Sequence, residues 1–224
     1  RFFAADEETR AIALYVEALH DPEQFLEVAK EVSKTTPIVA IKGGTTAAGA
    51  KAASSHTGSL AGAAVAYTAA FAQAGILQAP SLGEFSAWSR ALAHQPPAKG
   101  KRIAIVTNAG GPGVLAADAC ARHGLELATL NGDTMQALDG VLPSVWSRNN
   151  PVDVIGDATP ARYRDALRIL GSAPEVDGIV LIMTVQAMTA PEETAAAIIE
   201  AERGAGWDKP LLASFIGLVG TEVG

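Results

Sequence analysis

Short, uninterrupted apolar segments alternate with amphipathic stretches along most of this 224-residue chain. The segments at 11–16 (AIALYV), 38–41 (IVAI), 102–107 (RIAIVT) and 178–184 (GIVLIMT) lack the polar alternation of a strand with one wet face, so they predict strands buried on both faces. Helical stretches between such strands are typical of βα units, whose strands run parallel in one sheet. The pattern therefore predicts an α/β fold with mostly parallel sheets.

The hydrophilic stretch HQPPAKGK at 94–101 separates two blocks of this pattern. Proline and glycine are frequent in linkers, and a chain of this length is long enough for two domains. We therefore expect one domain over residues 1–95 and a second over 96–224. The chain begins with Arg1 rather than Met and ends soon after an apolar segment, so we also expect it to be a piece of a longer protein.

Turn and capping residues set the expected elements within each block. The first block is expected to contain a strand at 11–16, a helix starting at Asp21 and Pro22, a strand at 38–41, a glycine- and alanine-rich loop at 43–58, a helix from near Ser59 to Gly75, a strand at 76–78, and a helix capped by Ser81 with Glu84. The second is expected to contain a strand at 102–107, a glycine turn, a helix at 114–123, a strand at 125–130, a short helix after NGDT, a helix from Pro160 to about 170, a strand at 178–184, a helix from Pro191, and a strand at 211–216.

Composition excludes several classes of function. The formal net charge is -7 and the pI is about 5.1, and no basic cluster extends beyond Lys99, Lys101 and Arg102, which argues against a nucleic-acid or anionic-membrane surface. No apolar run reaches membrane-spanning length. Cys120 is the single cysteine, so an intramolecular disulfide and a thiolate metal cluster are excluded, and no residues are assigned as metal ligands. A cytoplasmic location is expected.

Polar residues follow the first two predicted strands. Glu17 ends the first strand, Lys42 with Gly43 ends the second, and the loop that carries His56 starts from the same edge of the sheet. The ordinary alternative is a solvated acid, a surface lysine and a histidine beside a helix start. The long loop of small residues favours a functional site, with Lys42 or Lys51 as a cation for phosphate. The remaining histidines are expected to be structural or exposed: His20, His94 and His123.

A glycine turn joins a strand to a helix in TNAGGPGVLAADA, at 107–119. Bare backbone N–H groups at a helix start form an anion site, so phosphate binding is predicted at Asn108, Gly110, Gly111 and Gly113.

The same turn also fits the dinucleotide pattern G-x-G-x-x-A, with Gly111, Gly113 and Ala116. A dinucleotide-binding oxidoreductase is therefore an alternative. Against it, the next strand is followed by Asn131, and the first acid is Asp133, beyond the place of a ribose-binding acid. The turn is not a Walker A motif, since it lacks GK[ST].

The stretch NNPVDVIGDATP at 149–160 has two interpretations. It is either a loop rich in Asx turns or a contributor to a ligand site, and the local sequence leaves both open. The residues concerned are Asn149, Asn150, Asp153, Gly156 and Asp157.

Five motifs in order and register carry a family resemblance. They are ALYVE, IKGG, SSHTGSLAG with AAFAQAGI, IVTNAGGPGVLAAD, and NNPVDVIGDAT. Over essentially the whole chain, they resemble the NDP-forming acyl-CoA synthetases, relatives of succinyl-CoA synthetase that include the ADP-forming acetyl-CoA synthetases. The resemblance implies two flavodoxin-like, three-layer αβα domains of the succinyl-CoA synthetase type.

The resemblance also implies roles for residues. His56 would be phosphorylated during turnover, Glu17 would orient its ring, and 108–113 would be one of the family's phosphate-facing "power helices". An orienting carboxylate raises the basicity of the other ring nitrogen, and a helix start stabilises phosphoryl charge.

The family's CoA-binding Rossmann domain, its other power helix and its ATP-grasp module have no counterpart in this sequence. The expectation is that this piece holds no cofactor alone and is inactive in isolation, that CoA, ATP or ADP, Mg²⁺ and a small carboxylic acid are used by the complete enzyme, and that it forms an oligomer. A third alternative, also from the resemblance, is a synthetase-like regulatory region of a protein lysine acetyltransferase.

Overall fold

The computed structural model describes residues 1–57 and 64–217, except for the side chains at 53–57, 204 and 205. The chain divides into two compact units, one over residues 1–95 and one from residue 96 onward. Every pairing between described strands is parallel, which confirms the predicted α/β fold class.

The first unit is a parallel sheet of three strands, in the order β1-β2-β3, with helices between the strands. After a 3-10 turn at Phe3–Ala5, the described elements are β1 Ile12–Val16, α1 Pro22–Val32, β2 Ile38–Lys42, α2 Ala47–Thr57, α3 Ala64–Gln73, β3 Ile76–Gln78 and α4 Leu82–His94.

Both predicted caps of the first unit are present. Asp21 Oδ1 accepts the Gln24 N–H at 3.0 Å ahead of Pro22, and Ser81 Oγ accepts the Glu84 N–H at 3.2 Å. The central strand β2 is the most deeply buried part of the sheet, and its residues Val39 and Ala40 are fully buried. Each cap joins two residues that are three positions apart, so the local sequence sufficed to predict both helix starts.

The predicted loop at 43–58 is wrong over most of its length, because residues 47–57 form α2. Thr46 Oγ1 accepts the Gly49 N–H at 3.1 Å, and the Thr46 carbonyl accepts the Ala50 N–H at 2.7 Å, so Thr46 caps a helix start that the glycines obscured. Alanine then has the highest helix propensity of all residues. The helix start expected near Ser59 lies outside the described residues.

The second unit is a five-stranded parallel sheet in the order β5-β4-β7-β8, with β6 also paired to β4. Its described elements are β4 Arg102–Thr107, α5 Gly110–Arg122, β5 Glu126–Leu127, α6 Gly132–Asp139, β6 Val152–Asp153, α7 Pro160–Ser172, β7 Gly178–Thr184, α8 Pro191–Ala205 and β8 Leu211–Ile216. Helix α5 begins four residues before its predicted start at 114, since the glycines form its first turn.

The side chain of Asn150 completes one side of β4. Strand β5 pairs only with Arg102 and Ile103, and β6 pairs only with Val106 and Thr107. Between them, Asn150 Oδ1 accepts the Ile105 N–H at 3.0 Å, and its Nδ2 donates to the carbonyls of Ile103 at 2.8 Å and Ala128 at 3.0 Å.

The strand predicted at 125–130 is therefore wrong beyond Leu127. The Ala128 N–H still bonds to the Ile103 carbonyl, but an asparagine side chain takes the next place along β4. The local sequence at 125–130 does not indicate that the strand ends early. The group that takes its place along β4 is the side chain of Asn150, which lies twenty positions beyond residue 130.

Polar groups also join elements around the second sheet. Asn131 caps α6 through Oδ1, which accepts the Thr134 N–H at 2.8 Å, while its Nδ2 donates to Glu175 Oε2 at 2.9 Å. At the start of β4, Arg102 Nε and Nη2 donate to the two carboxylate oxygens of Asp177 at 2.9 and 2.8 Å. The Arg102 N–H adds a third bond to Asp177, at 2.9 Å.

The core of the second unit lies between its sheet and α7, where Tyr163, Leu167 and Leu170 are fully buried. The ring of Trp207 packs directly on Gly171, since a Cβ at that glycine would lie 1.7 Å from the ring. None of the helices among the described residues combines the length and the hydropathy of a membrane span.

Candidate functional site

The ends of β1 and β2 bring Glu17 and the 42–43 segment together. Val16 pairs with Lys42, and the Gly43 N–H donates to the Val16 carbonyl at 2.9 Å. The segments that follow β1 and β2 therefore leave the sheet side by side. Glu17 Cγ lies 3.7 Å from the point where a Cβ on Gly43 would stand. The atom nearest to that point is the Tyr15 hydroxyl oxygen, at 2.8 Å, so the absence of a side chain at Gly43 leaves room for the Tyr15 ring, while the stem of the Glu17 side chain lies at ordinary van der Waals distance.

Lys42 is buried at this edge, with 6% of its surface exposed. Its Nζ donates to the Glu17 carbonyl at 2.8 Å and to the Gly43 carbonyl, and it lies 4.6 Å from the centre of the Tyr67 ring. Burial lowers the pKa of Lys42, and the nearby charge of Glu17 opposes that shift. Two of its three N–H donors are therefore engaged with backbone, and a phosphate contact by Lys42 stays a prediction.

Tyr67, in α3, is a site residue that the sequence analysis did not single out. Its hydroxyl accepts the Leu19 N–H at 3.2 Å, and its ring contacts Phe71 edge-on at a centroid distance of 5.8 Å. A tyrosine in a stripe of alanine and phenylalanine is the available signal, since a buried hydroxyl requires a partner.

His56 lies in the last turn of α2, and its side chain is outside the described residues. Its predicted pairing with Glu17 therefore stays a prediction, as does its phosphorylation. A groove of about 480 Å³ lies beside β1. It is lined by residues 14–20, which include Glu17, and by Phe25. The other three histidines are exposed, as expected: His20, His94 and His123.

The second predicted site is the start of α5. The N-cap residue Ala109 provides no side-chain bond to the first turn, and Gly110 and Gly111 are exposed. A Cβ at either glycine would meet nothing within 4 Å, so the space beside the first turn of α5 is open, and phosphate binding there stays a prediction.

Gly113 and Asn108 shape this turn from inside. A Cβ at Gly113 would lie 3.0 Å from Thr107 Cγ2, so this glycine allows α5 to pack against the end of β4. Asn108 Oδ1 accepts the Thr184 N–H at 2.7 Å, and its Nδ2 donates to the Thr184 carbonyl at 2.9 Å. The Asn108 side chain thus joins the ends of β4 and β7, beside the predicted phosphate site.

The 153–162 segment is held by bonds within itself. Asp153 Oδ1 accepts the Ile155 N–H at 2.8 Å, and Arg162 Nη1 donates to Asp157 Oδ1 at 2.7 Å and to the Val154 carbonyl at 2.9 Å. The bond from Arg162 lowers the pKa of Asp157. The bond between Asp153 and Ile155 is an Asx turn, and the Asn150 and Asp157 side chains have structural partners as well, so these contacts favour a structural interpretation of this stretch.

Gly156 of that segment lies near the α5 turn. A Cβ there would be 3.2 Å from Gln186 Oε1 and 3.9 Å from the Asn108 carbonyl oxygen. Sequence analysis did not single out Gln186, which follows β7 on the same edge of the sheet. No three His, Cys, Asp or Glu side chains in the described ranges come together as metal ligands.

Two family models match the chain. The model described as a succinyl-CoA ligase like flavodoxin domain covers residues 1–92, and the model described as a Ligase-CoA domain covers residues 103–224.

Curated relatives match over nearly the whole chain. Acetate–CoA ligase [ADP-forming] I subunit alpha of Pyrococcus furiosus is 43% identical over 96% of this chain and 46% of that protein. The alpha subunit of acetate–CoA ligase [ADP-forming] II of the same organism is 44% identical over 96% of this chain and 47% of that protein. The chain thus spans about half the length of these relatives.

A solved structure has the same fold. The dinucleotide forming acetyl-coenzyme A synthetase 1 of Ca. Korarchaeum cryptofilum, in complex with phosphate and ADP, superposes with a TM-score of 0.88 at 35% identity, over 97% of this chain and 47% of that one. The comparisons give no support to the oxidoreductase or acetyltransferase alternatives.

Proposed function

Because the chain belongs to the NDP-forming acyl-CoA synthetases, we propose that it is the phosphohistidine-carrying part of an acid–CoA ligase (ADP-forming) of the acetate–CoA ligase type. The complete enzyme interconverts acid, CoA and ATP with acyl-CoA, ADP and phosphate through an acyl phosphate. The observation that carries the proposal is the meeting of Glu17 and the 42–43 segment at one sheet edge, from which the chain leads into the helix that bears His56.

In the transfer step, a neutral ring nitrogen of His56 bonds to the phosphorus of the acyl phosphate. The bond from phosphorus to the acyl oxygen breaks, and the carboxylate leaves with the electron pair. Glu17 accepts a hydrogen bond from the other ring N–H, which fixes the tautomer and balances the positive charge on the phosphorylated ring. ADP then takes the phosphoryl group from the ring, and the histidine is restored.

The start of α5 is proposed as the phosphate site of the second unit. The N–H groups at Gly110 and Gly111 carry the positive end of the helix dipole and need no side chain to meet a phosphate oxygen. Asn108 and Gly113 hold the turn in place.

Partners complete the reaction in this proposal. A CoA-binding Rossmann domain and an ATP-grasp domain, in the same chain or another subunit, bind CoA, the nucleotide and Mg²⁺. The substrate is a small carboxylic acid, the enzyme is a cytoplasmic oligomer, and the 224-residue chain alone does not turn over. Neither nucleic acid nor a membrane takes part.

Phosphorylation of His56 is the direct test. The complete enzyme, incubated with labelled ATP and Mg²⁺, should acquire an acid-labile, base-stable label that His56→Ala abolishes. Glu17→Gln should slow labelling by about a hundredfold, as loss of an orienting partner does. Glu27→Gln, a matched change at an exposed glutamate of α1, should leave the rate unchanged. Equal labelling of His56→Ala would refute the proposal.

A further inference from the structure

Lys42 is a buried cation whose hydrogen-bond and ring partners carry no charge, although the Glu17 carboxylate lies near enough to interact with it. Its Nζ contacts the carbonyl oxygens of Glu17 and Gly43 and the face of the Tyr67 ring. No ion pair among the described residues includes it. Burying an ammonium is costly unless hydrogen bonds replace its water, and methionine would fill a similar volume without that cost. A buried ammonium at position 42 is therefore best explained by the chain segments that it holds together.

Three separate chain segments meet at this ammonium. One is the turn after β1, through the Glu17 carbonyl, and the second is the segment after β2, through the Gly43 carbonyl. The third is α3, through the Tyr67 ring, and the Tyr67 hydroxyl returns to the first segment by accepting the Leu19 N–H.

These segments are those that flank the proposed chemistry. The Glu17 backbone is fixed at its carbonyl, and its side-chain stem lies beside Gly43. The stretch that carries His56 starts from the 42–43 segment and ends in α3. One ammonium therefore ties the backbone of the carboxylate to both ends of the segment that carries the histidine.

We infer that Lys42 is a positioning residue for phosphoryl transfer, which holds Glu17 and the two ends of the His56 segment in register and does not contact phosphate. This inference rests on the proposed function. Positioning groups of this kind typically change rates by about 10- to 100-fold. A direct phosphate contact would instead act mainly on phosphate affinity.

Steady-state kinetics of the complete enzyme separate these two roles. In the direction that consumes acyl-CoA, ADP and inorganic phosphate, Lys42→Met should lower kcat by about 10- to 100-fold and leave the KM for phosphate within about twofold. Lys42→Arg, which keeps a charged donor, should recover part of the loss. A tenfold rise in the phosphate KM with kcat retained would overturn the inference, since Lys42 would then contact phosphate.

Two further variants keep the test decisive. Tyr67→Phe keeps the ring but removes the acceptor for the Leu19 N–H, so we expect a smaller loss of kcat, about threefold, as loss of one ordinary hydrogen bond gives, without a change in phosphate KM. Lys30→Met, at an exposed lysine of α1, should match the wild type. If Lys42→Met does not fold, unchanged kcat in both Lys42→Arg and Tyr67→Phe would overturn the inference. Failure of wild-type His56 labelling would instead count against the proposed function.

Discussion

The carboxylate of Asp177 makes the stability of the second unit depend on pH in the acid range. Hydrogen bonds from the Arg102 side chain and backbone lower the pKa of Asp177 from 3.8 to about 2, against the opposing effect of burial. Because the folded-state pKa lies below the unfolded value, the bonds stabilise the fold fully above about pH 4, and this contribution is lost as pH falls towards 2.

We therefore expect Asp177→Asn to lower the free energy of unfolding by about 1–2 kcal/mol near pH 6, and this difference from wild type to shrink by about 1 kcal/mol near pH 3. Urea unfolding at the two pH values measures it. Asp118→Asn, at an exposed position of α5, is the control. A difference that stays constant between the two pH values would contradict this account.

Residue types were easier to predict from the sequence than their partners. The chain order places Glu17 and Lys42 at strand ends, and both lie there. The sequence did not reveal that the Lys42 ammonium faces two carbonyls and Tyr67, or that the Asn108 amide bonds to Thr184, because these contacts join segments far apart in the chain. The pairing of Glu17 with His56 stays a prediction.

At the scale of elements, Asn150 tests how much one side chain contributes to a sheet. Asn150→Ala removes the partner of the buried Ile105 N–H and one bond from each of two carbonyls. We expect the free energy of unfolding to fall by about 2–3 kcal/mol, since a buried polar group without a partner costs about 1–3 kcal/mol. Urea unfolding, with amide exchange at Ile105 as a local measure, checks this.

The neighbouring asparagine provides the control. Asn149 is exposed and accepts one bond from the Asn150 N–H, at 2.9 Å, so Asn149→Ala should cost less than about 1 kcal/mol. Similar losses from the two variants would show that the Asn150 side chain does not stabilise the sheet as described.

Elements with local signals were predicted well, and those that depend on distant partners were not. Asp21, Ser81 and Pro160 mark helix starts that are present. Helix α2 was missed because glycines on either side of Thr46 suggested a loop, although a threonine cap followed by alanines suffices for a helix. Strand β5 was overextended because Asn150 takes its place along β4.

At the scale of the whole molecule, the pattern of apolar segments sufficed for the α/β class, because parallel strands that are buried on both faces require uninterrupted apolar runs. The same pattern of apolar segments occurs in phosphate-binding and in dinucleotide-binding proteins, so it does not distinguish these two functions. The distinction depends on the α5 turn and on the residues that follow β5, where the first acidic residue, Asp133, lies in the first turn of α6 rather than at the strand end.

We therefore expect the purified chain to bind sulfate or phosphate weakly and to show no binding of NAD or NADP at micromolar concentrations. Calorimetric titration of each ligand measures this. Gly111→Glu, which puts a carboxylate into the open first turn, should abolish sulfate binding by charge repulsion, whereas Gly124→Asn, beyond the other end of α5, should not. Micromolar affinity for NAD would favour the oxidoreductase alternative.

The cap of α6 also affects how the protein ages chemically. Asn131 precedes Gly132, and in a flexible chain this pair loses ammonia readily when the glycine nitrogen attacks the side-chain carbon. Here the Asn131 side chain is bonded at both ends, to the Thr134 N–H and to Glu175, and Gly132 is held in the first turn of α6. Deamidation at this pair should therefore follow the opening of α6, and isoaspartate at 131 would record how often a stored molecule has unfolded there.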